Sequence, residues 1–452
     1  MRKVKTSLRV CLTWGGLLGL ILLLWVVPVR SENSPKVFTL EESLQQAFKE
    51  SPQIKAAQEA VQAAGFKQKQ AKTGFFPKLG TQYSYNYQNQ APTITIPAQD
   101  NGLIPQSTLT LGSQNNYAFY VTMDQLIFTG LALTRTYELA GLGLDISKIK
   151  LEEERLTLAS KVKEAFLNIL GAQKIRLVAE QTVLQIADHV RSAQDFYNVG
   201  LIPLNDLLKS EVQLADARQN LVRAQHGVLS AQANFNTLLR ISLDRETEVQ
   251  DILKYQSYSK DLEECQTEAT QKRPEIREID TQIDIAEKNI QLAKSEYSPQ
   301  VALQSRYIKQ GDNPTVSGSP FVQSDNWDVT AVIKWNFWEW GRTHYLVQER
   351  IMQRQQVKES LTQIKDLIRL EVKEAYLSLR EAEKNIGVAE KTIEQAEENF
   401  RINKIRYQEQ VATSLEVLDA QTLLAQAKNN YYQALYAYNI YYSRLLKAMG
   451  TW

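Results

Sequence analysis

The sequence predicts an α/β membrane protein in which a long helical hairpin and two β-strands occur twice along the chain. Three observations carry this. The turn Tyr197-Asn198-Val199-Gly200-Leu201 with Pro203 separates two long proline-free runs of apolar residues at coiled-coil spacing, and a matching turn recurs 210 residues later, Tyr197 meeting Tyr407, Asp206 meeting Glu416 and Leu208 meeting Leu418. Segments of about ten residues alternate aromatic or aliphatic with polar side chains, as strands with one oily and one wet face do. The N-terminus carries an export signal: Arg2, Lys3, Lys5 and Arg9 precede an apolar run from Val10 to Val29.

In chain order, residues 1–30 read as a signal peptide, with an uncleaved anchor as the alternative because the run is just long enough to span a bilayer. Polar Ser31, Glu32, Asn33 and Ser34 after Pro28 favour cleavage. Cys11 lacks the Leu-Ala-Gly surroundings of a lipoprotein cysteine. Removing residues 1–30 takes away five Lys/Arg and no acids, so the formal charge moves from +1 to −4, a mildly acidic balance that argues against nucleic-acid binding. One cysteine, Cys265, then remains, and His189, His226 and His344 are scattered without ligand spacing. Neither a phosphate-cradling glycine loop nor a nucleophile motif is present, so no metal, cofactor or catalytic residue is expected and an enzyme is excluded.

The first repeat spans 38–240. It reads as a short helix, a helix of about twenty residues, strands over 77–89 and 117–128, a helix over 131–199 and a returning helix over 203–239. A polar, aperiodic linker follows over 241–261. The second repeat, 262–450, carries strands over 299–310 and 326–337 and helices over 342–408 and 413–448. Leu40-Glu41-Glu42 returns as Leu262-Glu263-Glu264 and Phe76-Pro77-Lys78-Leu79 as Ser298-Pro299-Gln300-Val301, both at an offset of 222. The offset falls to 211 at Gly130 and Gly341, then to 210 at Val162-Lys163-Glu164-Ala165 and Val372-Lys373-Glu374-Ala375, which leaves about eleven extra residues in the first copy between Tyr87 and Tyr117. Residues 88–116 and 310–325, rich in Asn, Gln, Pro, Gly and Ser, read as long external loops.

Leu79, Thr81, Tyr83, Tyr85 and Tyr87 alternate with polar neighbours, as do Trp327, Val329, Ala331, Ile333, Trp335 and Phe337. A soluble half-buried sheet alternates too, but the aromatic content and the export signal favour a membrane barrel. Four strands cannot close one: open edges in lipid leave backbone groups unpaired at several kcal/mol each. The barrel is therefore shared between chains, two giving eight strands and three giving twelve. Helices of this length extend about 100 Å at ~1.5 Å per residue. Their seams, such as Leu379, Ala382, Ile386, Ala389, Ile393, Ala396 and Phe400, alternate large residues with alanine, which lets antiparallel helices approach closely. A secreted coiled-coil adaptor or rod without channel activity accounts for the seams equally well. It does not account for the strands.

Over residues 38–450 the chain resembles the TolC family of outer-membrane channels. The resemblance rests on the duplicated order of elements, Pro77 and Pro299 opening strands, Gly130 and Gly341 starting the long helices, and the tip Tyr197-Asn198-Val199-Gly200-Leu201 with Asp206. It implies a homotrimer, with a twelve-stranded barrel in outer-membrane lipid continued by a twelve-helix periplasmic tunnel. It also implies an exit duct docked through a periplasmic adaptor onto an inner-membrane pump, for efflux or for type I protein secretion. The family's pore-entrance residues fall on Asp206, Glu416, Asp419 and Tyr407, and its adaptor-contacting tip on Val199, Gly200, Leu201, Gln410 and Val411. Ala412 stands where the best-known member has an arginine and Gln410 replaces the second tip glycine, so an arginine-based latch is not expected. Thr413 with Glu416 also fits a helix capping box, Asp206 lies in a first helical turn with Lys209 three residues on, and Asp419 lies beyond the capping positions.

Overall fold

The computed structural model describes residues 37–98 and 105–452; the expected signal peptide lies outside them. The described chain is built from eight strands and eight α-helices. In order they are β1 (Val37–Phe38), α1 (Leu40–Glu50), α2 (Pro52–Thr73), β2 (Lys78–Tyr87), β3 (Thr93–Ile96), β4 (Ser107–Thr110), β5 (Asn115–Phe128), α3 (Ala132–Asn198) and α4 (Leu204–Leu239). Then come β6 (Glu248–Val249), α5 (Leu262–Lys272), α6 (Pro274–Lys294), β7 (Gln300–Gly311), β8 (Asp325–Lys334), α7 (Arg342–Gln408) and α8 (Ser414–Ala448).

Local chemistry sets the short helices. Thr39 and Asp261 each accept the N3 amide while Glu42 and Glu264 return to the cap backbone, so α1 and α5 open with equivalent capping boxes. Pro52 and Pro274 then occupy first turns, where a missing N–H costs nothing.

The main sheet is antiparallel in the order β2-β5-β7-β8, so the strand hairpins of the two repeats join through β5 and β7. The register places Leu79 beside Met123, Thr81 beside Val121, Val121 beside Tyr307 and Tyr307 beside Trp327. Because side chains alternate with a period of two, these residues share one face. Leu79, Tyr83, Tyr85, Trp327 and Ile333 on that face are all exposed in the single chain. The opposite face pairs Gly80 with Thr122, Thr122 with Arg306, and Arg306 with Asp328, whose carboxylate lies 2.9 Å from the guanidinium. Among the described residues β2 and β8 each lack a neighbour on one side, and no helix is long and apolar enough to cross a membrane.

Four expectations need correction. The strand expected over 326–337 stops at Lys334, because its partner Gln300 is where β7 begins; Trp335 instead donates its indole N–H to the Tyr297 carbonyl at 3.1 Å. Residues 88–116, expected as loop, contain a second hairpin in which Ile94 faces Leu109 and Thr95 faces Thr108; this hairpin occupies the extra length of the first repeat. The segment 241–261, expected as a polar and aperiodic linker, packs as a strap. Its β6 pairs in parallel with β1, Val249 and Leu253 enter the core, and buried Asn236 donates to the carbonyls of Ser242 (3.2 Å) and Arg245 (2.8 Å) and accepts from Thr247. A strap whose backbone is satisfied by helix side chains has no hydrophobic period to reveal it. Finally, Gly130 and Gly341 are not backbone equivalents: left-handed pairs occur at Gly130-Leu131 and Trp340-Gly341, so the offset there is 210.

The largest core lies where this strap, α1 and α5 surround α3, α4, α7 and α8, with Phe166, Phe235, Ile169, Leu379 and Leu445 at most 2% exposed. From it α3 and α7, each of 67 residues, run about 100 Å at ~1.5 Å per residue.

Candidate functional site at the helical tip

Both hairpins turn in the same way. After α3, the Gly200 amide donates to the Tyr197 carbonyl (2.9 Å) and the Leu201 amide to that of Phe196 (2.8 Å), with Gly200 at φ +77°. After α7, Gln410 donates to Tyr407 (3.1 Å) and Val411 to Arg406 (2.9 Å), with Gln410 at φ +62°. These are the paired bonds of a Schellman cap, which satisfy the last carbonyls of a helix. The turns leave Val199, Leu201 and Val411 more than half exposed at the end of the molecule.

The expected entrance residues divide. Glu416 closes the α8 capping box, accepting from the Thr413 amide (3.1 Å) and hydroxyl (3.1 Å), and its carboxylate also lies 3.5 Å from Arg406. The Thr413 donors, then Arg406, hold its carboxyl below the usual range. Asp206, in the first turn of α4, lies 3.6 Å from Lys209. Asp419 is exposed and lines a cleft of about 440 Å³ between α4 and α8, with Lys209 on the facing wall. Tyr407 does not face an entrance in the protomer. It is 3% exposed, its ring 4.8 Å from that of His189 and 5.4 Å from that of Phe196; burial, then the Asp206 charge, raises its phenol.

Around Tyr407 lies a polar cluster that the sequence did not single out. His189 Nε2 is 2.7 Å from Ser414 Oγ, Ser414 Oγ is 2.9 Å from Ser210 Oγ, and Ser210 donates to the Asp206 carbonyl at 3.0 Å. All three side chains are buried, as is Gln421, which donates to Gln185 at 2.7 Å. A signal for this existed. Extending the seam of α4 back from Leu214 lands on Ser210, and extending that of α8 back from Leu424 lands on Gln421, Val417 and Ser414. Polar residues at seam positions need partners when buried. Among the described residues no three His, Cys, Asp or Glu side chains gather as a metal site would require.

Two hairpins some 100 Å long by the ~1.5 Å rise per residue, attached to a sheet with one oily face and two open edges, define one segment of a membrane duct. The chain belongs to the outer membrane efflux protein family, whose model it matches over residues 43–239 and 266–451. It is thus an outer-membrane efflux protein, in a family of transport ducts and not of enzymes. Among solved structures it is similar to the outer membrane protein VceC of Vibrio cholerae, with a TM-score of 0.73 and 16% identity over 91% of this chain and 96% of that one. It is likewise similar to the CmeC outer membrane channel of Campylobacter jejuni (0.74, 14%, 91% and 85%) and to CusC (0.76, 16%, 91% and 92%). No curated protein matches the chain by sequence.

Proposed function

We propose that three copies of the chain close one twelve-stranded barrel and one helical tunnel. In this reading the tip docks onto a periplasmic adaptor that joins the duct to an inner-membrane pump. One observation carries the reading: β2 and β8 are unpaired edges of a sheet whose exposed face holds Leu79, Tyr83, Trp327 and Ile333. Lipid accepts such a face only if the edges are hydrogen-bonded, and β2 of one copy against β8 of the next does this without a new strand. Four strands from each of three copies make a barrel wide enough for a wet lumen, whereas eight strands leave little beyond packed side chains. Val199, Leu201 and Val411, with Gly200 and Gln410, form the adaptor-contacting tip, since their apolar side chains project into water at the end farthest from the sheet. Asp206, Glu416 and Asp419 line the entrance. Substrate choice rests with the pump.

Mass measurement of the detergent-purified protein tests this together with planar-bilayer recording. A trimer that conducts ions is expected; a monomer, or a protein that extracts into buffer without detergent, refutes the shared barrel.

A further inference from the structure

We propose that His189, Ser414 and Ser210 form a latch between the two hairpins of each protomer, and that proton uptake at His189 releases it and opens the tip. The proposal rests on the duct reading above. His189 on α3 and Ser210 on α4 belong to the first hairpin; Ser414, the first residue of α8, and Tyr407, in the last turn of α7, belong to the second. The hydrogen bonds run in one direction. A carbonyl can only accept, so at the 3.0 Å contact with Asp206 O the Ser210 hydroxyl is the donor. Ser210 Oγ must then accept from Ser414 (2.9 Å), and Ser414 Oγ must accept from His189 Nε2 (2.7 Å). With the hydroxyl protons assigned in this order, the imidazole is neutral and carries its proton on Nε2, and the chain of bonds crosses from one repeat to the other and back.

Among the described residues, the carboxylates around this cluster already have partners. On its own helix, exposed Asp188 is 3.5 Å from Arg191. On α4, Asp206 is bound by Lys209. On α8, Glu416 is held by Thr413 and Arg406. From α7 the ring faces the Tyr407 aromatic face, and the Lys404 ammonium repels the added charge. At 8% exposure the cation is largely cut off from water, and separating the hairpins restores it.

Burial, then Lys404, pushes the His189 imidazole down to about 4, from an ordinary value of 6.5. The closed state therefore binds fewer protons than the open one. Closure is fully favoured above the ordinary value and is lost progressively as pH falls from there towards 4. By linkage, moving from about pH 8 to about pH 5 shifts the open-to-closed ratio roughly 30-fold per protomer.

The test is single-channel recording of the purified protein in planar bilayers, with pH stepped from about 8 to about 5 on the side of the tip. The parent's open-to-closed ratio is expected to rise by roughly 30-fold for each protomer whose release opening requires. His189→Gln keeps an amide donor without a titrating group and is expected to lose most of that response. Ser414→Ala breaks both bridging bonds, changes no charge and is expected to be open already at pH 8. A parent whose open probability does not rise, a His189→Gln variant with the parent's pH response, or a Ser414→Ala variant closed at pH 8 each overturns the latch. A protein that forms no conducting trimer at any pH refutes the duct reading instead.

Discussion

At Gln410 the backbone takes a φ of +62°, and 210 residues earlier its equivalent Gly200 takes +77°. The same doubling occurs at Gly130 and Trp340, at Leu131 and Gly341, and at Arg240 and Gly450, with one glycine in every pair. An L-residue held there loses on the order of 1 kcal/mol relative to glycine. Gln410 is exposed and its amide bond to Tyr407 is main-chain, so a glycine keeps the cap. Gln410→Gly should therefore raise stability by about 1 kcal/mol and Gly200→Gln lower it by about as much, read as opposite shifts in thermal midpoint. Thr413→Ala removes the α8 cap and should cost about 1 kcal/mol. The Glu416 carboxyl titrates lower in the folded protein, so its contribution is present above the ordinary carboxyl value of 4.5 and is lost as pH falls through the folded value. Glu416→Gln should accordingly flatten the acid limb of a stability-pH curve. The capping role of Glu416 was legible in the Thr-x-x-Glu spacing, and Asp206 in the residues after Pro203. The burial of Tyr407 was not: it is set by Phe196 and His189, which lie more than 200 residues away in the chain.

Along the helices, most of the large-and-alanine seam of α7 and α8 is buried and the rest half-buried: Leu379, Ala382, Ile386, Ala389 and Ala396 are buried on one, Leu424, Ala427, Tyr438, Leu445 and Ala448 on the other. A heptad pattern is local information, so a duplicated α/β plan could be read from periodicity and offset alone. The strap over 241–261 was illegible because its few core residues obey no period, and the β3-β4 hairpin because threonines mask its alternation as a polar loop. The seam also differs between helices. Ala389 is 8% exposed, so Ala389→Trp overpacks the interface and should destabilise by about 1–3 kcal/mol or more. Ala224 is half-buried beside a cleft of about 420 Å³ lined by Ala172, Ile175, Ala217 and Ala425. An indole fits that space, so Ala224→Trp should shift the melting midpoint much less than Ala389→Trp; equal losses would show that the cleft closes in the assembled protein.

At the scale of the proposed assembly, the acids assigned above to its entrance do not count equally. Glu416 lies 3.5 Å from Arg406 and Asp206 lies 3.6 Å from Lys209, so each carries a counter-charge within its own protomer. Asp419 is exposed, has no such partner and looks across the α4–α8 cleft at Lys209. In the trimer proposed above, three copies around one axis would place three Asp419 carboxylates at a narrow mouth with helical walls, where the field of like charges is focused and cations are concentrated. Screening over about 8–10 Å at ordinary ionic strength makes the effect strongest in dilute salt. The duct should therefore prefer cations and be blocked by multivalent cations added on the side of the tip. Asp419→Asn should remove most of both properties, and adding Glu416→Gln should change little further, because its charge is already offset by Arg406. Reversal potentials in a salt gradient and block titrations measure this directly. If Glu416→Gln alone abolishes selectivity while Asp419→Asn leaves it intact, the Arg406 pair is open in the assembled entrance and the ring of fixed charge is Glu416.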